Sequence, residues 1–162
     1  MTLRAELGVR GTLDTRLKAE SHFPPHSPLQ SVPTIAILHK MFTDAVLEHF
    51  RNPRNAGELA NADATVEVTN PICGDILKLA VRLDGNRIAE ARFLCRGCTT
   101  AIACASFLTE QLLTRTLAES QYLTPQSISV ALGGLPATTF HGAQLAADAL
   151  LALTQKLSDP GR

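Results

Sequence analysis

The sequence predicts an α+β domain, a three-stranded antiparallel sheet packed with helices. Three observations carry that reading. Apolar residues alternate with period two through 76–83 and again through 87–95. The Asp84-Gly85-Asn86 stretch between them is a hairpin signal. From Thr99 onward the apolar period lengthens to that of a helix. A helix, then strands, then helices is the segregated order of an α+β fold.

Residues 1–40 stand apart from this pattern. They hold four of the nine prolines and three of the five histidines, and HFPPHSPLQSVP has neither a helical nor a strand period. A disordered N-terminal extension is expected there. The patterned domain is expected over 41–158, with 159–162 as a C-terminal tail. Translation starting at Met41 is an alternative that N-terminal mass analysis would decide.

Met41 to Phe50 reads as a helix with Phe42, Ala45, Val46, His49 and Phe50 on one stripe and Thr43 as N-cap; Asn52-Pro53-Arg54-Asn55 stops it. Residues 64–70 alternate as a first strand. In the second, Leu77, Leu79, Val81 and Leu83 share a face opposite Lys78 and Arg82. In the third, Ala89, Ala91, Phe93 and Cys95 share a face. A helix follows from Thr99 to about Arg115, then a short one over 124–132 with proline at its first position, then a last helix from about Thr139 to Leu157.

The bulk composition narrows the function. Basic and acidic residues balance at 15 each, so nothing favours nucleic acid or an anionic membrane as partner. No apolar run approaches the roughly 20 residues that span a bilayer, and no secretory signal is visible. The first 22 residues hold several arginines but also Glu6, Asp14 and Glu20, which mitochondrial transit peptides avoid. A cytoplasmic protein is expected. Four cysteines without an export signal point to metal or thiol chemistry rather than a disulfide framework.

Four residues able to bind metal fall where the chain changes direction. Cys73 and Asp75 lie in a loop between strands, with Gly74 allowing a tight turn. Cys98 lies between strand and helix, where the opening helix amides and Arg96 favour a thiolate. His141 lies at the start of the last helix, where the same dipole favours the neutral, metal-binding imidazole. Two thiolates, a carboxylate and an imidazole make a tetrahedral set for zinc or iron. Cys104, about 240° around the helix from Cys98, is expected to be structural. Cys95 shares the apolar face of its strand, yet Cys95-Arg96-Gly97-Cys98 is a C-x-x-C pair that could chelate metal or form a redox disulfide.

These motifs resemble those of the U-type iron–sulfur cluster scaffold family, which includes IscU, SufU and the N-terminal domain of NifU. The resemblance covers residues 41–157. It runs through Asn52-Pro53-Arg54-Asn55, Asn70-Pro71-Ile72-Cys73-Gly74-Asp75, Ala91-Arg92-Phe93, Gly97-Cys98, Ala101-Ile102-Ala103, Ser106, Leu135-Pro136, Phe140-His141 and Leu145-Ala146-Ala147-Asp148-Ala149. It implies a three-stranded sheet with helices, and a protein with no turnover of its own. Such a protein holds iron or a nascent [2Fe–2S] cluster, or zinc, receives sulfur from a cysteine desulfurase and passes clusters to acceptor apo-proteins. Cys73, Asp75, Cys98 and His141 occupy matching positions. Two departures stand out. Gly142 replaces the family's third cysteine, a candidate persulfide acceptor, so Cys95 or His141 would have to make up the ligand set. Leu135-Pro136-Ala137-Thr138-Thr139 replaces Leu-Pro-Pro-Val-Lys, so chaperone recruitment through that motif is not expected.

Three functions follow as expectations. The first is a cluster assembly scaffold with an altered ligand set. The second is a zinc-binding degenerate scaffold homologue with a structural or regulatory role. The third is a C-x-x-C thiol redox protein.

Overall fold

The structure, a computed structural model, describes residues 41–159. The extension expected over 1–40 and most of the tail over 159–162 lie outside the described residues.

Helix α1 spans Asp44–Arg51, starting later than Met41 because Thr43 is its cap. Thr43 Oγ1 accepts the Val46 N–H at 3.2 Å and donates to the Leu132 carbonyl. Asp44 in the first turn and Arg51 in the last complement the helix dipole. The buried stripe is Val46, Leu47 and His49; Phe50 is 37% exposed, so the stripe is turned toward Leu47.

Strands β1 (Ala64–Thr69), β2 (Ile76–Asp84) and β3 (Arg87–Arg96) form one antiparallel sheet in the order β1-β2-β3. Leu77, Leu79, Val81, Ala91 and Phe93 point into the core. The expected parity fails at Ala89. Arg82 pairs with Glu90 but Leu83 pairs with Ile88, so Ala89 is an extra residue on β3. This bulge reverses the faces on either side of it. Ile88 is fully buried, Ala89 exposed, and Leu83 only half-buried. Residues 55–57 line the free edge of β3, with the Gly57 N–H donating to Phe93 O at 2.8 Å and the Phe93 N–H to Asn55 O at 3.1 Å.

Helix α2 (Thr99–Leu112) packs on β3 and α4 (His141–Ser158) on β1 and β2; the two helices also touch each other. Helix α1 covers α2, and α3 (Pro125–Ala131) covers α4. Leu108, Leu112, Leu145 and Leu153 complete the core. Helix α2 stops at Leu112 rather than Arg115 because the chain there pairs with β3. Thr114 N–H donates to Ile88 O and Ile88 N–H to Arg115 O, both at 2.8 Å. Helix α3 begins as expected, with Thr124 accepting the Ser127 N–H and Pro125 in the first turn. Helix α4 begins at His141, after Thr139 N–H has closed a turn onto Pro136 O.

A buried polar network fixes the turn after α1. His49 Nδ1 is 2.9 Å from Ser106 Oγ, which accepts the Arg54 N–H at 2.8 Å. Thr109 Oγ1 donates to Ser106 O at 2.9 Å. Asn52-Pro53-Arg54-Asn55 is therefore held on α2, where buried polar groups satisfy one another.

Candidate metal centre

The residues singled out in the sequence come from three segments. The β1–β2 loop carries Cys73 and Asp75. Asn70 closes this loop, its N–H donating to Asp75 O at 2.9 Å and its carbonyl accepting the Gly74 N–H at 2.8 Å. Asn70 Oδ1 also accepts the Ile72 N–H at 2.9 Å. Gly74 has φ +72°, a left-handed conformation that suits glycine. The result leaves Cys73 exposed and tucks Asp75 inward, 7% exposed.

The β3–α2 junction carries Cys98. It is the N-cap residue of α2, in extended conformation, with no side-chain cap bond, so its sulfur is free to point elsewhere. That sulfur lies 3.0 Å from Thr100 Oγ1 and 3.8 Å from His141 Nε2. The third segment is the start of α4, where His141 is the first helical residue. The starts of α2 and α4 thus meet, which brings two positive dipole ends to one place; in α4 the Gly142 and Ala143 amides are already bonded, to Thr139 O at 3.2 Å and Phe140 O at 3.0 Å.

Cys73 Sγ, an Asp75 oxygen and a His141 ring nitrogen all lie within 4.8 Å of one another. Cys98 is outside this trio but touches it through His141. Asp75 Oδ2 is buried and has no hydrogen-bond partner among the described residues. A buried polar atom left unpaired costs about 1–3 kcal/mol, and more when it is charged, unless a cation completes it. The mixed sulfur, nitrogen and oxygen donors, with the orphan oxygen among them, fit a cation of borderline softness such as zinc or ferrous iron.

Cys95 pairs with Leu77 across the sheet and is half-buried. Its thiol is pushed up to about 12, first by burial and then by the Asp75 carboxylate and the sulfurs of Cys98 and Cys73. Cys104 is fully buried and likewise pushed up to about 12, chiefly by burial, in keeping with a structural role. Thiols so disposed are poor redox nucleophiles at neutral pH. The Cys73 thiol is raised by desolvation in the first place, with the Asp75 carboxylate adding to the rise.

Sequence reasoning missed Thr100 as a neighbour of the site, and it missed the contacts made at Gly97 and at Gly142. Thr100 is fully buried beneath the Cys98 sulfur. A Cβ on Gly97 would stand 2.9 Å from Asp75 Cγ, and a Cβ on Gly142 would stand 2.9 Å from Ala101 N and Thr100 C. A hydroxyl two residues beyond Cys98 was the available signal for the first; close approaches between distant segments leave no local signal.

The NifU-like N terminal domain family model matches residues 41–158. The chain is 42% identical over 110 residues to the iron-sulfur cluster assembly scaffold protein IscU 1 of Archaeoglobus fulgidus, covering 68% of this chain and 72% of that protein. It is 39% identical over 128 residues to the iron-sulfur cluster assembly enzyme IscU of Drosophila melanogaster, covering 76% of this chain and 79% of that one. The crystal structure of a NifU-like protein (N-terminal) from Brucella abortus shares the fold, with a TM-score of 0.60 at 15% identity over 76% of this chain and 98% of that one. Among the described residues no helix is long and apolar enough to cross a membrane. The antiparallel sheet, its helices and the sequence match together place this chain in the NifU-like N terminal domain family.

Proposed function

We propose that this protein is an iron–sulfur cluster assembly scaffold that binds iron or a nascent [2Fe–2S] cluster as cargo and passes it to acceptor proteins. The observation that carries the reading is the convergence of Cys73, Asp75 and His141, together with an Asp75 oxygen that is buried and has no hydrogen-bond partner among the described residues. Cys98 is the fourth ligand of the proposal, within 3.8 Å of His141. Family membership and relatives named as assembly scaffolds support the cargo.

In this role the chain binds and releases; it breaks no bond in its cargo. Cys73 and Cys98 are both exposed, and Cys73, on its loop, is the sulfur we assign to meet a cysteine desulfurase. Asp75 supplies a hard oxygen donor that iron exchanges more readily than thiolate. Cys95 is the candidate for the third thiolate, since position 142 has no side chain and Cys95 stands three residues before Cys98 at the end of β3; the Asp75 carboxylate and the Cys98 and Cys73 sulfurs oppose its ionisation until a cation is bound.

Anaerobic reconstitution with iron, cysteine and a desulfurase tests the reading. The expected result is a visible-absorbing cluster that Cys73→Ala abolishes and Cys95→Ser weakens. An unchanged spectrum in Cys73→Ala overturns the assignment, and protein isolated with stoichiometric zinc that resists iron exchange replaces it with a zinc role.

A further inference from the structure

We infer that Thr100 is a positioning residue for Cys98, donating its hydroxyl proton to the Cys98 sulfur and setting how tightly that sulfur holds a metal. This rests on the reading of Cys98 as a ligand.

Thr100 is 0% exposed, and a hydroxyl so buried needs a hydrogen-bond partner. A threonine inside a helix commonly bonds back to a carbonyl one turn earlier. Thr100, in the first turn of α2, turns to the sulfur of Cys98 instead, at 3.0 Å. With a thiol there, either atom can donate. With a metal-bound sulfur, the proton can come only from oxygen, because the sulfur carries none.

The residue is held from a second side. The Thr100 carbonyl carbon and oxygen would be 2.9 and 3.1 Å from a Cβ on Gly142, so the start of α4 lies directly on its backbone. The backbone that carries the hydroxyl is thereby held between the two helix starts. Gly142 therefore lets α4 sit against the backbone that carries the donor.

Hydrogen bonds to a coordinating sulfur withdraw electron density from it and tune the metal. The Cys98–metal bond is weakened and a bound iron centre is easier to reduce. Both effects suit a ligand that must let its cargo leave.

The test uses the full chain loaded with Co²⁺ alone, whose sulfur-to-metal charge-transfer band reports thiolate donation directly. Thr100→Val keeps the shape and removes the proton donor. The band is expected to move to longer wavelength, and loss of Co²⁺ to a competing chelator to slow several-fold. Thr100→Ser is expected to restore both to wild-type values. Thr100→Ala removes the hydroxyl without adding a methyl group and must move the band the same way, which covers the case in which the valine variant does not fold. An unshifted band in whichever of the two variants folds overturns the inference. Cys98→Ser separates the premise from the conclusion. If it leaves the band at full intensity, Cys98 is not a ligand; if it weakens the band while the Thr100 variants do nothing, only the role of Thr100 fails.

Discussion

Gly97 and Asp75 are in direct contact across the site: a β-carbon at position 97 would stand 2.9 Å from the Asp75 carboxyl carbon and 3.1 Å from its Cβ. It would also meet Ala101 Cβ at 3.0 Å, so the pocket that receives the aspartate has no spare room. Gly97→Ala is therefore expected to push the carboxylate off its position. Groups that orient a ligand typically contribute roughly 10–100-fold in metal affinity. A loss in that range, measured by competition with a chromophoric chelator, is the expected outcome. Wild-type affinity would show that Asp75 is not held by this contact.

Asp75→Ala acts at a proposed ligand. It removes the oxygen donor that iron exchanges most readily and leaves sulfur and nitrogen donors behind. Transfer of a preformed cluster to an acceptor apo-protein is expected to slow, followed by loss of scaffold absorbance. Equal transfer rates in mutant and wild type would refute the role.

Gly142 is buried in α4, with the α2 backbone where its side chain would be. Alanine improves helix propensity by about 1 kcal/mol over glycine. Overpacking against atoms that cannot yield costs about 1–3 kcal/mol. The contact here is with backbone, so the second effect wins and Gly142→Ala is expected to lower the melting temperature. Gly142→Cys is expected to do the same rather than simply restore a third thiolate. A rise in melting temperature for either variant would show that the helix starts separate freely.

His49 gives the fold an acid sensitivity of its own. Burial lowers its proton affinity below the ordinary histidine value of 6.5, and the neighbouring Arg54 charge adds to this. The unfolded chain thus takes up a proton near that value while the folded chain still resists it. Between the two values the unfolded state binds more protons, so stability falls as pH drops through this window. Melting temperatures should decline from about pH 7 to 5, where histidine titrates, and His49→Gln should flatten the decline. An equally steep profile in the variant would assign the effect to other groups.

Much of the fold was legible because its elements carry strong periodicity. The hairpin at Gly85-Asn86, the Thr43 cap and the Pro125 helix start are all local signals, and each was readable in the chain. What escaped was set by partners far away. Ala89 leaves the expected face because of a one-residue register shift against β2. Helix α2 ends at Leu112 because residues 114–115 pair with Ile88. The site divides in the same way. Cys73, Asp75, Cys98 and His141 stood out as ligand types at element ends, whereas Thr100 and Gly97 matter only through contacts that folding creates.

The candidate ligands belong to the β1–β2 loop, the β3–α2 junction and the start of α4, three stretches that no continuous helix or strand joins. Cargo seated among them is a crosslink as well as a load. By mass action a ligand at one hundred times its dissociation constant adds about 2.7 kcal/mol to stability. That gain would be concentrated where these three stretches meet. A chain holding a cation there would be a stiffer object than one without it, its three stretches tied at a single point.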